Sequence, residues 1–153
     1  MANFAKLTVI DMGNEPNKAI TESQTAGIIG TTAASNGAGT PVYGVHCKLK
    51  ERHDKYLILV QHNTPGDGGA TVNCVLKGGN SGKWGGKDLA FSVAKNKAVL
   101  LKIEAGPYKN ETPNAAMKAL AGYTSSDTED MKGDIVITAS SAQVSIAVIK
   151  ESF

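Results

Sequence analysis

"VYGVHCKLKERHDKYLILVQH", residues 42–62, decides how this chain folds. Its first part alternates: Val45, Cys47 and Leu49 fall on one side, His46, Lys48 and Lys50 on the other. That period of two is what a strand with one buried face requires. Its last part, "KYLILVQH", is apolar on both sides, as expected for a strand covered on both faces or near the middle of a sandwich. The charged "KERHD" between them is short enough for a hairpin end.

The same period spreads outward. "TVNCVLK" aligns Val72, Cys74 and Leu76; "DLAFSV" aligns Leu89, Phe91 and Val93; "KAVLLKI" aligns Val99, Leu101 and Ile103. "AKNK" between the last two suits a tight hairpin turn. "DIVITA" and "QVSIAVIKE" close the chain with Ile135, Ile137, Val144, Ile146 and Val148, and "SSA" reads as their hairpin. "TPNAAMKALAGY" interrupts the pattern. Thr112 caps, Pro113 takes the first helical position and Gly122 stops it, giving one short helix over 113–121. "TSSDTEDMKG" then reads as an acidic surface loop. These spacings predict an all-β, single-domain β-sandwich, immunoglobulin-like or jelly-roll-like, over residues 42–153.

Residues 1–41 differ. After one strand, "KLTVID", the polar run 13–41 has little periodicity, and Asn36, Gly37, Gly39 and Pro41 mark a loop. A segment this long either lies over its own domain or reaches a neighbour, since structureless loops of such length are uncommon in compact domains.

Composition removes several function classes. The 153 residues carry sixteen basic and fourteen acidic side chains, net charge +2, too balanced to imply nucleic-acid binding. No run approaches a membrane-spanning helix. "MANFAKLTVIDMG" lacks the architecture of a signal peptide, so a cytosolic origin is expected, with Cys47 and Cys74 as reduced thiols.

The most unusual stretch is "KGGNSGKWGGKD", residues 77–88, which holds five glycines and the only tryptophan. A phosphate loop needs four residues between its glycines, then lysine and a serine or threonine, with a helix following. Gly78 and Gly82 enclose three residues, Trp84 follows Lys83, and a strand comes next, so no phosphate cradle is expected. Trp84 reads as a lid on the core, a protein-contact anchor or a stacking platform. The lone Asp67 in "NTPGDGGAT" cannot supply a calcium loop. His46 and Cys47 point to opposite faces and cannot easily share a metal, so the histidines are expected to be solvated and the thiols buried. The thiols fall on apolar faces, where they behave as small hydrophobes, and no nucleophile elbow exists. No catalytic, cofactor-binding or metal-ligating residue is assigned, and no cofactor. "KLKERHDK" gathers Lys48, Lys50, Arg52 and Lys55, either to meet an acidic partner or as a solvated tip that discourages strand pairing.

The run "LVQHNTPGDGGATVNCVLKGGNSGKWGGKDLAFSVAKNKAVLLKIEAGPYKN", followed by "KGDIVITASSAQVSIAVIKESF", resembles head decoration (auxiliary capsid, or cement) proteins of tailed bacteriophages. The resemblance covers residues 42 to 150 and lies in strand and turn order; it carries no active-site residues. It implies a non-enzymatic structural protein, made in the host cytoplasm and mounted on the virion exterior. Its partners would be the major capsid protein and neighbouring copies of itself, with no nucleic acid or membrane. Lys48, Lys50, Arg52, Lys55, Trp84, Ile28 and Ile29 are the interface candidates. The competing readings are a carbohydrate- or receptor-binding sandwich of a phage tail or fibre, using Trp84, Tyr43 or Tyr108, and a tail or head–tail joining subunit.

Overall fold

A computed structural model describes residues 4–11, 32–34, 42–51, 53–62, 70–80, 85–111, 115–123 and 130–150. Trp84, Arg52, Ile28, Ile29 and Asp67 lie outside the described residues, as does most of the polar run 13–41.

Among the described residues ten strands form two sheets packed face to face, the expected β-sandwich. In the first sheet β1 (Ala5–Leu7), β4 (Val42–Lys48), β9 (Asp134–Ala139), β6 (Val72–Leu76) and β7 (Leu89–Val93) lie in that order, and β3 (Thr32–Ala34) also pairs β4. The second sheet runs β2 (Ile10–Asp11), β10 (Val144–Lys150), β5 (Lys55–His62), β8 (Ala98–Glu104). The ladders are antiparallel except β1 on β4 and β2 on β10, which are parallel.

The alternation read from the sequence sets the core. Val45, Cys47, Val72, Cys74, Leu76, Ile135 and Ile137 of the first sheet meet Tyr56, Ile58, Val60, Val144, Ile146 and Val148 of the second. Inward positions of the central strands are almost wholly removed from water, which is the main favourable term holding such a fold together.

Three connections depart from the expected hairpins. The links β4–β5, β7–β8 and β9–β10 each pass from one sheet to the other, so the strands they join do not share a ladder. A short polar turn is equally suited to joining neighbours in one sheet and to arching across a sandwich. "AKNK" is still a tight turn: Asn96 adopts φ 62°, and Lys97 N–H donates to the Ala94 carbonyl at 3.0 Å. "KLTVID" is likewise not one strand. It breaks at Thr8 and Val9, giving β1 to one sheet and β2 to the other.

One short helix forms, α1 (Ala115–Leu120), and Gly122 terminates it with φ 90°, a left-handed angle that favours glycine. Its expected cap Thr112 and first residue Pro113, and residues 124–129 of the expected acidic loop, lie outside the described residues. Within the supposed acidic surface loop, Met131 and Gly133 are buried.

Candidate functional site

Part of the first sheet's outer face is apolar too. Phe4, Val136, Met131 and Ala121 form a second cluster there, joined by Met117 and Leu120 of α1 and by Tyr123. Phe4 N–H donates to the Ala121 carbonyl at 2.8 Å, fastening the N-terminal chain to the end of α1. Gly44 makes room for the Phe4 ring. A Cβ there would stand 2.5 Å from Phe4 Cε2 and 2.6 Å from the Ile137 carbonyl oxygen.

Under this cover lies a buried polar chain. Period two sends His46 to the face opposite Cys47, and β9 sets Asp134 at the start of its strand on the same face. His46 Nδ1 lies 2.6 Å from Asp134 Oδ2, and Nε2 lies 2.9 Å from the Tyr123 hydroxyl. A carboxylate only accepts, so Nδ1 carries a proton and donates to Asp134; in the neutral imidazole Nε2 then accepts from the Tyr123 hydroxyl. The Tyr123 ring also meets the imidazole edge-on, with centroids 5.5 Å apart. His46 and Asp134 are both fully buried, which corrects the expectation of solvated histidines. His62 is also buried, its Nε2 2.8 Å from the Ala70 carbonyl, while His53 is exposed.

Asp134 is held from the backbone side as well. The N–H and Nδ2 of Asn110 both donate to its carbonyl at 2.9 Å, and Gly133 N–H donates to the Asn110 carbonyl at 2.7 Å. Gly133 has φ 86°, so glycine is the residue this turn favours. Asp134 Oδ1 and Asn110 Oδ1 have no hydrogen-bond partner among the described residues.

A histidine between a carboxylate and a hydroxyl resembles a catalytic relay, but the chemistry does not go further. Such a relay needs a nucleophile within reach and a route for substrate. The imidazole and carboxylate are sealed, and the thiol next in sequence faces the sandwich interior. Burial, and then the Asp134 charge, push the Cys47 thiol up to about 12, and burial pushes Cys74 up to about 11. Neither thiol is an activated thiolate. Burial likewise pushes Tyr56 up to about 12. Among the described residues no three His, Cys, Asp or Glu side chains gather where a metal could be held. The polar chain is a packing lock that fastens the outer layer to the first sheet.

Three of the interface candidates, Lys48, Lys50 and Lys55, are among the described residues. Lys48, Lys50 and Lys55 are exposed at the end of the sandwich where β4 passes to β5, but acids are interleaved with them. Lys50 Nζ lies 3.7 Å from Asp11, Lys150 Nζ lies 3.7 Å from Asp54, and His53 lies 3.3 Å from Glu104. Among the described residues this end is a mixed-charge surface. Tyr43 and Tyr108 are partly buried against the core, so part of each ring is committed to packing.

The glycine-rich stretch belongs to the scaffold in its described parts. Gly79 and Gly86 N–H both donate to the Pro107 carbonyl at 2.8 Å. A Cβ on Gly78 would collide with the Gly86 carbonyl, and one on Gly79 with the Lys109 carbonyl. These glycines serve close backbone approach. Asp88 closes the base, accepting from Gly78 N–H at 2.7 Å and Lys77 Nζ at 2.8 Å, and those two donors hold its carboxyl below the usual range.

Sequence reasoning missed the lock. Its one signal was a histidine at an outward strand position; what covers it includes Met117, Leu120, Ala121, Tyr123 and Met131, far along the chain. No protein-family description, curated protein or solved structure matches this chain.

Proposed function

We propose that the protein is a non-enzymatic structural subunit, a decoration protein that binds the major capsid protein lattice of a tailed bacteriophage and stabilises the shell. One observation carries the non-enzymatic part. The side chains with the most chemical versatility among the described residues, His46, Asp134, Cys47 and Cys74, are buried in packing and in hydrogen bonds that leave no path for a substrate. The capsid partner comes from the resemblance in strand and turn order across residues 42 to 150. A disulfide-free sandwich with reduced, buried thiols suits a part that folds in a cytosol before mounting on a particle.

The test is sedimentation of the purified protein with expanded and unexpanded capsid shells. Saturable binding to the expanded lattice at a fixed ratio per capsomer, with a raised shell disruption temperature, is the expected outcome. No binding to either form, or rings and tubes formed by the protein alone, would replace this reading with that of a tail or joining subunit.

A further inference from the structure

The sandwich has two rims, and among the described residues one is unfinished. At the β7–β8 rim the inward-facing Leu89, Phe91, Val99 and Leu101 are only partly buried, whereas inward residues of β5, β6, β9 and β10 are almost wholly buried. Leu100, between two of them, is 60% exposed, the only large hydrophobic side chain so exposed among the described residues.

The backbone at this rim also faces outward. Among the described residues β8 is the last strand of its sheet. His62 N–H donates to the Lys97 carbonyl, and Ala105 N–H donates to the Asp54 carbonyl, both at 3.0 Å. Residues 97 and 105 therefore direct their polar groups toward β5 and its flank. Along an antiparallel strand these groups alternate sides residue by residue. The register is unbroken from Lys55 opposite Glu104 to Gln61 opposite Ala98. Leu100 thus turns its N–H and C=O away from β5, into the open edge. An added strand would bond there, set one side chain beside Leu100 and send its neighbours between the sheets against Val99, Leu101, Leu89 and Phe91.

Charge selects the occupant. Lys87, Lys95, Lys97 and Lys102 are exposed along the rim, and Lys87, Lys95 and Lys97 have no ion pair among the described residues. The acids nearby are engaged: Asp88 with Lys77 and Gly78, Glu104 with His53. Two lysine-bearing edges of this kind repel each other, the usual guard against self-pairing. A strand bearing carboxylates is attracted to the same edge.

We infer that the β7–β8 rim is a docking site for an extended, acidic strand of a partner protein, which adds to the second sheet beside β8. Main-chain bonds to the edge supply affinity, and alternate side chains in the half-open rim supply register. The inference rests on the reading of the protein as a docking subunit and adds where it docks and what it takes.

The test uses the full isotope-labelled chain and a short capped peptide of alternating glutamate and valine, with a lysine–valine peptide as control. Saturable amide shifts confined to β7 and β8, with slowed exchange at Leu100, are expected, and the basic control should bind at least about tenfold more weakly. Leu100→Pro removes the outward N–H together with the leucine side chain and should abolish binding; Leu100→Ser, which loses the side chain and keeps the N–H, should only weaken it, with the thermal midpoint of the serine variant unchanged. Equal binding of both peptides, shifts elsewhere, or undiminished binding by Leu100→Pro overturns the inference. Dilution-dependent shifts at β8 without peptide would make a second copy the occupant and overturn it as well. On expanded shells, undiminished binding by both variants overturns this site and leaves the capsid reading standing. Uptake of the acidic strand at β8 by a protein that ignores shells does the reverse.

Discussion

The two rims of the sandwich are built from similar residues and finished differently. At one, seven residues cross from the first sheet to the second, β1 pairing β4 and β2 pairing β10, and their Leu7 and Ile10 are buried to 2% and 3% exposure. At the other, β7 and β8 are joined by the tight turn around Asn96, and nothing among the described residues crosses outside them. Closure therefore does not follow from hydrophobic alternation, which both rims possess. It needs a further segment whose side chains fill the gap between the sheets. The closed rim also has help from outside: Lys6 of β1 lies in register with His46, one strand in from the edge, so the buried lock and the Phe4 anchor sit directly behind it.

The largest expected break in this comparison is Asp134→Ala. It strands a buried imidazole and removes a charge-assisted hydrogen bond, with an expected loss of about 3–4 kcal/mol in denaturant unfolding. A loss under about 1 kcal/mol would mean the lock is not what fastens the outer layer. Next comes a matched pair. Leu7→Ala, at the closed rim, should cost about 3 kcal/mol, and Leu101→Ala, at the open one, about 1 kcal/mol, because less area leaves water there. Equal costs would show the open rim to be as well packed as the closed one.

Alkaline pH sharpens the contrast between the shared interior and both rims. Cys47, Cys74 and Tyr56 ionise at higher pH when folded than when unfolded, so the unfolded chain releases their protons first. Their stabilising contribution is complete below about pH 9 and is lost as pH rises toward 11 and 12. The denaturation midpoint should fall steadily across that window, and both thiols should resist a thiol reagent until unfolding; a flat profile would contradict the burial argument. The smallest effect is Tyr123→Phe. It keeps the ring against His46 and removes one hydroxyl, at a cost of about 1 kcal/mol, with perturbed amide shifts confined to α1, β4 and β9.

The strands were legible because each carries its pattern locally. Ile58 and Val60 announce an interior strand whatever surrounds them, and Gly122 stops α1 by its own conformational freedom. Which sheet a strand joins is a different matter. "KERHD", "AKNK" and "SSA" are short and polar in the way of hairpin turns, yet each arches across the sandwich, since turn length limits distance and not direction. β3 escaped notice because "TAA" lacks the apolar alternation that marks a strand. Lys48 and His46 share one outward face, and only the distant arrival of α1 and Tyr123 makes one exposed and the other buried. In the sequence the glycines of residues 77–88 mark a loop leading into a strand and exclude a phosphate cradle; their collision partners, the Gly86 and Lys109 carbonyls, cannot be inferred from spacing.

The turn following β8 has one further consequence. Pro107 receives both arms of the glycine-rich stretch, Ala105 N–H reaches Asp54, Lys109 Nζ reaches the Lys50 carbonyl, and Asn110 grips Asp134. Four stretches remote in sequence are thus knotted at a handful of consecutive residues. That end of the sandwich is expected to open as a single cooperative unit, with the amides of Gly79, Gly86, Ala105, Asn110 and Gly133 exchanging together in a hydrogen-exchange measurement.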